Sequence, residues 1–385
     1  MQKSSTINLL ADSLRLLAPP TPTELQACWE LCRLHNNIGF WVVWLPTAWS
    51  IAMSFRAQPD LPLLTALLRA ATYVPLCFGV KSLIMTIDDI LDYDIDALVE
   101  RTKERAIPRG AISVPRAWTF FALQVLLGIT LAFWLLSRVA LLVSMAVWPL
   151  YIIYPTCKRW TNLAPIPLGL MFKVGVFMGW ADLTADAKAI PWHVLVPVYI
   201  GACLWTITYE SVYQHQDTTD DITIGIHSPA LLLQHLTVPV CSATALGFVA
   251  LLTYGGLTNG HGIPFLAGVV VAAIDLFVGL WATDVDSPGQ CKEFFLATPR
   301  VGQTVLVGLA VDSVLSRPRA HIFLHLRDWV PVSRSHGARA ARFSVSSLPF
   351  IAEDGSHSHA SVVYAVEEHA EKLRRLSAAA ASGVL

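Results

Sequence analysis

The stretch ALLRAATYVPLCFGVKSLIMTIDDILDYDID, residues 66–96, decides the fold of this chain. It begins as an apolar run of the length that crosses a bilayer as a helix, which takes about 20 residues. It ends in a cluster of aspartates: Asp88, Asp89, Asp92, Asp94 and Asp96. The pattern predicts a membrane-spanning helix that presents carboxylates at one end.

The composition extends this interpretation to most of the chain. Of 385 residues, 54% are hydrophobic and 14% are charged, whereas about a quarter of the residues in a soluble domain are charged. A backbone in lipid must satisfy its own hydrogen bonds, which long apolar runs do as helices. We therefore predict an all-α, polytopic membrane protein with about nine spans around a central apolar cavity. The predicted spans are about 38–55, 66–87, 116–136, 139–155, 164–182, 192–213, 229–254, 262–282 and 299–316.

Composition also divides the chain into three parts. Residues 1–35 form a polar lead with an interfacial helix from Pro22 to His35, capped by Thr23. Residues 36–316 form the membrane domain. Residues 317–385 are rich in Ser, Ala, His and Arg, which predicts a low-complexity, disordered or weakly helical tail.

The distribution of charge predicts the orientation in the membrane. Lysine and arginine concentrate in the loops that share a face with the N-terminus, so the positive-inside rule places the acidic end on the cytosolic side. The lead holds no signal-peptide core, and Lys3 and Arg15 make a poor mitochondrial presequence. An endoplasmic-reticulum-type membrane is expected over the mitochondrial inner membrane.

A second acidic cluster follows the apolar run 192–213. Asp217, Asp220 and Asp221 have helical spacing, as do Asp89, Asp92 and Asp96 in the first cluster. Carboxylates stacked on one helix face repel one another unless a cation joins them. Magnesium takes oxygen ligands and is usually held by one or two carboxylates together with substrate phosphates. The two clusters predict a magnesium–diphosphate site, while Asp94 breaks the helical face and is equally compatible with exposure to water.

A basic run follows the first cluster, and it suits the same ligand. Arg101, Lys103, Arg105 and Arg109 are placed to bind phosphate oxygens. The alternative is that the run anchors lipid headgroups. A diphosphate bound at the mouth of an apolar cavity points to a prenyl diphosphate donor.

At these residues the chain resembles the UbiA family of intramembrane prenyltransferases. That family's first motif, N-D-x-x-D-x-x-x-D, is similar to residues 88–96, and its following E-R-T-x-x-R-P…R-G segment is similar to residues 100–110. Residues 213–225, YQHQDTTDDITIG, resemble the Y-x-x-Q-D-x-x-D-D-x-x-x-G of the 4-hydroxybenzoate polyprenyltransferase branch. The resemblance covers about residues 25–316.

The resemblance implies an enzyme that uses Mg²⁺, a prenyl diphosphate donor and an aromatic acceptor within membrane lipid, with no nucleic-acid partner. The implied catalytic and metal-binding residues are Asp89, Asp92, Asp96, Asp217 and Asp221. The implied substrate-binding residues are Arg33, Asp88, Arg101, Lys103, Arg105, Lys158, Lys173, Tyr213 and Asp220.

Several positions depart from the family pattern and bear on the acceptor. Asp88 stands where the motif has Asn, and Lys173 lies in a span where the branch usually has Asn. Asn36-Asn37 and Thr223 also differ. Three roles remain open for Lys173: contact with substrate or the acidic clusters, a structural ion pair, or snorkelling to the interface.

The hypothesis for the reaction is electrophilic aromatic prenylation through an allylic cation. Aromatic faces stabilise such a cation, although packing against neighbours or lipid is the ordinary role for each candidate: Trp41, Trp44, Phe78, Phe172, Trp205 and Tyr209. Glu210 is a weaker candidate for contact with the acceptor. His215 and His227 lack the pairing of a zinc site and are interpreted as loop residues.

Other functions share parts of this pattern. A terpene cyclase on the same scaffold would ionise the same diphosphate, and the branch resemblance favours transfer instead. A cation transporter would place its carboxylates near the membrane midplane. Within the transferase hypothesis, the altered positions favour a phenolic acceptor of specialised, meroterpenoid-type metabolism over the alternative, the ubiquinone pathway.

Overall fold

The structure, a computed structural model, describes residues 18–35, 37–184 and 187–317. Within these ranges every regular element is a helix, which confirms the predicted fold class. The predicted 317–385 tail falls almost entirely outside the described residues. The α-helices are α1 (Pro22–Leu31), α2 (Ile38–Ala57), α3 (Leu63–Leu91), α4 (Tyr93–Asp96), α5 (Val114–Leu135), α6 (Arg138–Met145), α7 (Trp148–Thr156), α8 (Pro165–Phe172), α9 (Gly175–Ala181), α10 (Trp192–Tyr213), α11 (Thr218–Ile224), α12 (Pro229–Leu233), α13 (Thr237–Thr258), α14 (Ile263–Ala282) and α15 (Pro288–Leu315).

Eight helical stretches of the described residues are long and apolar enough to cross a membrane. They are Ile38–Ala57, Leu63–Leu91, Val114–Leu135, Arg138–Arg159, Trp192–Ile224, Pro229–Thr258, Ile263–Ala282 and Pro288–Leu315. The ninth predicted span, 164–182, is the shorter apolar segment Pro165–Ala181, which divides into α8 and α9. The last helix begins at Pro288, well before the predicted residue 299, because its first turns are polar and escape a hydropathy pattern.

A helix lies where the sequence predicts an interfacial one and begins at Pro22 as predicted, but its cap and its last residue differ from the prediction. It ends at Leu31, not at His35, and Thr21 caps it instead of Thr23. The Thr21 hydroxyl accepts a hydrogen bond from the Glu24 backbone N–H at 3.2 Å, and the Glu24 carboxylate accepts one from the Thr21 N–H at 2.9 Å. This reciprocal pair is a capping box, which the three-residue spacing of Thr21 and Glu24 specifies.

Close packing of helices around α2 forms the core of the bundle. Trp49 on α2 and Trp205 on α10 are fully buried with ring centroids 5.5 Å apart, and the Trp49 indole donates to the Gly302 carbonyl at 2.9 Å. A Cβ at Gly302 would lie 2.7 Å from Leu45, so only glycine allows α15 to approach α2 this closely. Small residues at helix contacts are the usual means of packing in lipid.

Candidate active site

The two acidic motifs lie at the same end of the bundle. Asp88 and Asp89 occupy the last turn of α3, the chain bends at Asp92, and Asp96 ends the short helix α4. These four carboxylates are at most 6% exposed. Asp94 is exposed and pairs with Arg159 at 2.6 Å, in agreement with the alternative that it faces water.

A direct contact joins the first motif to the second. Arg101, in the loop after α4, donates from Nε and Nη2 to the two carboxylate oxygens of Asp217 at 2.8 and 2.5 Å. The backbone N–H of Glu100 donates to Asp220 at 3.2 Å. A two-point guanidinium–carboxylate contact fixes both distance and orientation. The residues between α3 and α5 are therefore held against the helix end that carries the second cluster.

Cations also neutralise the first cluster. Arg33 binds Asp89 at 2.7 Å, and Arg105 bridges Asp89 at 3.1 Å and Asp96 at 2.5 Å. Lys158 binds Asp92 at 2.7 Å. Burial raises the pKa of Asp92 to about 6, and the Lys158 ammonium opposes this shift. Burial likewise raises the pKa of Asp96. Without these cations so many buried carboxylates would not stay ionised together.

A cavity of about 150 Å³ opens between the two motifs. Its wall combines carboxylates, cations and apolar side chains, as a diphosphate with a hydrocarbon tail requires. The charged members of the lining are Asp88, Asp96, Asp217, Asp221, Glu210, Arg33, Lys81, Arg101, Arg105 and Lys158, with Tyr213, Phe172 and Phe295 among the aromatic ones. Asp89 and Asp92 are not part of this wall: Asp89 lines a neighbouring cavity, and both bind the cations described above.

The fit of the carboxylates to magnesium depends on how many ligands the ion needs from the protein. No three His, Cys, Asp or Glu side chains of the described residues surround one metal position. The Oδ1 atoms of Asp88 and Asp92 are buried and have no hydrogen-bond partner, so each retains a free acceptor. Because magnesium needs only one or two carboxylates when substrate phosphates complete its shell, the residues fit this ion.

A second, apolar cavity of about 350 Å³ lies deeper in the bundle, between α3, α5, α7 and the α8–α9 segment. Leu76, Val80, Leu83 and Ile129 are typical of its lining. Among the described residues, Phe172 is the one whose side chain belongs to the walls of both cavities. Phe172 therefore lies at the boundary between the charged cavity and the apolar one.

Lys173 has a local structural function that is none of the three roles expected from the sequence. Its ammonium is fully buried, donates to the Val42 carbonyl at 2.7 Å, and lies 4.6 Å from the ring centroid of Trp205. In a regular helix the residue four positions later would donate to Val42, but that residue is Pro46, which has no N–H. Lys173 thus supplies the hydrogen bond that Pro46 removes from α2.

Of the remaining predicted residues, some line the charged cavity and others lie elsewhere. Tyr213 lines the charged cavity, whereas Lys103 pairs with Glu100 at 2.7 Å on an exposed surface. His215, predicted in a loop, lies in the helical turn Gln214–Asp217 and hydrogen-bonds Thr237 at 2.8 Å, whereas His227 lies in a loop and belongs to the cavity wall. Of the aromatic candidates, Phe172 lines the charged cavity. Trp41, Trp44 and Phe78 pack around Phe40, and Trp205 packs on Trp49.

Sequence reasoning missed Lys81, a buried lysine of the cavity wall. Its ammonium donates to the carbonyls of Cys32 and Arg33 at 2.8 and 2.5 Å. Arg33 has a φ of 47°, a left-handed conformation that is uncommon outside glycine. Lys81 holds this turn in place while the Arg33 side chain reaches Asp89. Lys81 is the single lysine of the apolar span 66–87, and a charge there is costly unless it has a partner. This position could therefore have indicated a functional residue.

The fold and the site together define a helical membrane enzyme whose charged cavity opens beside an apolar one. The chain belongs to the UbiA prenyltransferase family, whose model matches residues 43–299. It is accordingly a prenyltransferase, a transferase of alkyl groups larger than methyl, and the resemblance noted in the sequence is confirmed.

Similar proteins with established names include the mitochondrial 4-hydroxybenzoate polyprenyltransferases of two yeasts and the mouse. The Saccharomyces cerevisiae protein is 33% identical over 293 residues, which cover 74% of this chain and 76% of the relative. The Schizosaccharomyces pombe protein is 32% identical, covering 80% and 86%. The Mus musculus protein is 30% identical, covering 76% of each.

Solved structures show the same fold. The apo structure of a UbiA homologue from Aeropyrum pernix K1 superposes with a TM-score of 0.58 at 26% identity, covering 72% of this chain and 99% of that one. A UbiA homologue from Archaeoglobus fulgidus, bound to DMAPP and Mg²⁺, superposes with a TM-score of 0.51 at 15% identity, covering 72% and 98%.

Proposed function

We propose that this chain transfers a polyprenyl group from its diphosphate to the ring of 4-hydroxybenzoate or a closely similar phenol, with Mg²⁺ as cofactor. The observation that carries the proposal is the shared cavity, in which Asp88 and Asp96 face Asp217 and Asp221 among five cations. The names of the yeast and mouse relatives supply the acceptor.

Asp88 and Asp221, one from each motif, would hold magnesium together with phosphate oxygens of the substrate, since both line the cavity and Asp88 retains a free carboxylate oxygen. Bound there, the ion would neutralise negative charge on the diphosphate. Arg33, Arg105 and Lys158 bind phosphate oxygens from the other side and stabilise the charge that grows as the diphosphate leaves. These cations already lie within hydrogen-bond distance of buried carboxylates, so they are positioned before substrate arrives.

The reaction breaks the bond between the first prenyl carbon and its diphosphate oxygen and forms a bond from that carbon to the ring. The ring then loses a proton to a base. The cavity wall around Phe172 excludes water, which would convert the allylic cation into a prenyl alcohol. Glu210 lines the same cavity and has no ion-pair partner among the described residues, so we place it on the acceptor side.

The relatives favour the ubiquinone-pathway acceptor over the meroterpenoid acceptor that the altered positions suggested. One of those positions, Lys173, hydrogen-bonds a backbone carbonyl, so a change of acceptor is not needed to explain it. The same relatives are mitochondrial by name, so they give no support to the expected endoplasmic-reticulum-type membrane. The protein is an integral, multi-pass membrane protein in either case.

The test incubates the purified chain with Mg²⁺, geranylgeranyl diphosphate and 4-hydroxybenzoate, and identifies products by mass spectrometry. A prenylated 4-hydroxybenzoate that disappears with EDTA supports the proposal. Asp221→Asn or Asp217→Asn should abolish it, while Asp94→Asn, a change at an exposed surface pair, should leave it within about twofold. A cyclised hydrocarbon formed without phenol would overturn aromatic transfer, and products from other phenols alone would overturn the acceptor.

A further inference from the structure

Glu210 is a buried carboxylate of the charged cavity that belongs to neither acidic motif. It is 8% exposed and lines the cavity, but no hydrogen bond or ion pair joins its side chain to the described residues. By contrast, Asp88, Asp96 and Asp217 each form an ion pair with an arginine. A buried polar group without a partner is costly, so a functional reason is expected for Glu210.

Glu210 lies deeper in the bundle than the acidic motifs. It precedes Asp217 on the same helical stretch by seven residues, which corresponds to about 10 Å along a helix. The charges that act on Glu210 come from two levels: Asp88 lies with the motifs, whereas Lys173 directly follows the boundary residue Phe172. Glu210 therefore lies between the level of the motifs and the boundary with the apolar cavity.

This level is also that of the carbon atom that reacts. In a prenyl diphosphate the first carbon joins the diphosphate to the hydrocarbon chain. With the diphosphate at the acidic motifs and the chain in the apolar cavity beyond Phe172, that carbon lies between them, at the level of Glu210. The ring carbon that attacks it must approach to about 3–3.5 Å. The proton on that ring carbon is therefore released close to Glu210.

A second polar group without a partner lies near Glu210. Tyr154 also lines the charged cavity, and no hydrogen bond joins its hydroxyl to the described residues. Glu210 is one of the charges that act on Tyr154, so the two side chains belong to the same part of the wall. A tyrosine hydroxyl can both donate and accept, so a phenol at this level would supply the partner that Tyr154 lacks.

We propose, on the basis of the aromatic transfer proposed above, that Glu210 is the base that takes the proton from the ring. The bond between the first prenyl carbon and the diphosphate breaks, and its electron pair leaves with the diphosphate. A ring carbon next to the phenolic hydroxyl gives an electron pair to the prenyl carbon. The proton on that ring carbon then moves to a carboxylate oxygen of Glu210, and the C–H electron pair restores the aromatic ring. Tyr154 hydrogen-bonds the phenolic hydroxyl and so orients the ring.

The test compares the full-length chain with its Glu210→Gln variant, using 4-hydroxybenzoate and the same acid deuterated at both positions next to the hydroxyl. Glu210→Gln should lower the rate of prenylation about 100-fold, as the loss of a general base does. The ratio of the rates with the ordinary and the deuterated acid should rise in the variant, because loss of the ring proton becomes the slow step. The donor should still be consumed, with prenyl alcohol replacing part of the product.

Glu210→Asp keeps a carboxylate on a shorter side chain, so it should retain more activity, and it carries the same isotope test if the Gln variant fails to fold. Glu293→Gln makes the same change at an exposed position outside the charged cavity and should match the unaltered chain. An unchanged rate ratio, or prenylation at the unaltered rate, in the Glu210 variants would overturn the assignment. An unaltered chain that prenylates no phenol would instead overturn the proposed function, and this inference with it.

Discussion

Arg101 and Asp217 are 116 positions apart in sequence, yet their side chains are joined by two hydrogen bonds of 2.8 and 2.5 Å. The first belongs to the basic run after the first acidic motif, and the second opens the second motif. This contact fixes the separation of the two motifs across the charged cavity. The Arg101 guanidinium also lies 5.8 Å from the ring centroid of Tyr213, so the same side chain orients a further wall residue.

Replacing Arg101 with lysine should impair catalysis far more than a conservative change of charge suggests. Lysine keeps the positive charge but cannot bind both oxygens of Asp217 at once. We expect kcat/KM for the prenyl diphosphate to fall about 100-fold, the effect typical of a displacement of about 1 Å between the groups of a catalytic site. Arg159→Lys, at the exposed pair with Asp94, is the matched control; equal rates for the two variants would contradict this assignment.

Lys173→Met should destabilise the protein through the backbone of α2. The change leaves the buried Val42 carbonyl without a donor, which costs about 1–3 kcal/mol. Thermal unfolding in detergent measures the loss. In a Pro46→Ala background the helix regains its own N–H donor to Val42, so the same lysine change should cost less. Equal losses in both backgrounds would show that Lys173 stabilises the fold by another contact.

Phe172→Ala should extend the range of prenyl donors. The residue lies at the boundary between the charged cavity and the apolar one, so removal of its ring should join the two volumes. Relative kcat/KM for long donors should rise against that for geranyl diphosphate, as measured with donors of increasing length. Phe177→Ala removes an equal ring that packs on Trp192 and Tyr199 instead. Identical donor profiles for the two variants would exclude this role for Phe172.

His261, at the opposite end of the bundle, should make stability depend on pH. Burial lowers its pKa from the usual 6.5, although Asp312 accepts from the ring at 2.8 Å and raises it; the nearby Arg56 guanidinium lowers the pKa further. Below pH 6.5 the unfolded chain binds a proton that the folded chain excludes, so the free energy of unfolding falls as pH falls, by at most about 1.4 kcal/mol per pH unit.

Thermal unfolding between pH 8 and pH 5 measures this effect. His261→Gln removes the titrating group, so the variant should lose less stability than the unaltered chain over the same range. Parallel pH profiles would contradict the assignment to His261.

The sequence predicted what periodicity and composition encode. Apolar runs located the spans, since each has a length set by the bilayer, and the spacing of Asp88 to Asp96 placed carboxylates together at a helix end. The polar first turns of the helix that begins at Pro288 carried no such signal. The break of the predicted span 164–182 into α8 and α9 also escaped prediction, because it depends on contacts with α2.

The ion-pair and hydrogen-bond partners within the site could not be predicted from the sequence for a related reason. The pairing of Lys158 with Asp92 and of Arg101 with Asp217 depends on how distant helices approach one another, which local patterns do not specify. Lys81 and Lys173 show the same limit. Each was visible as a charge in an apolar run, but its acceptor is a backbone carbonyl that only the folded chain supplies.

The most direct test of the shared cavity is an experimental structure of the full chain with Mg²⁺ and farnesyl thiodiphosphate, an analogue that ionises slowly. We predict density for the diphosphate between Asp88 and Asp221, with magnesium in contact with carboxylates of both motifs and Arg33 on the phosphate oxygens. Diphosphate density in contact with one motif alone, or outside this cavity, would contradict the account.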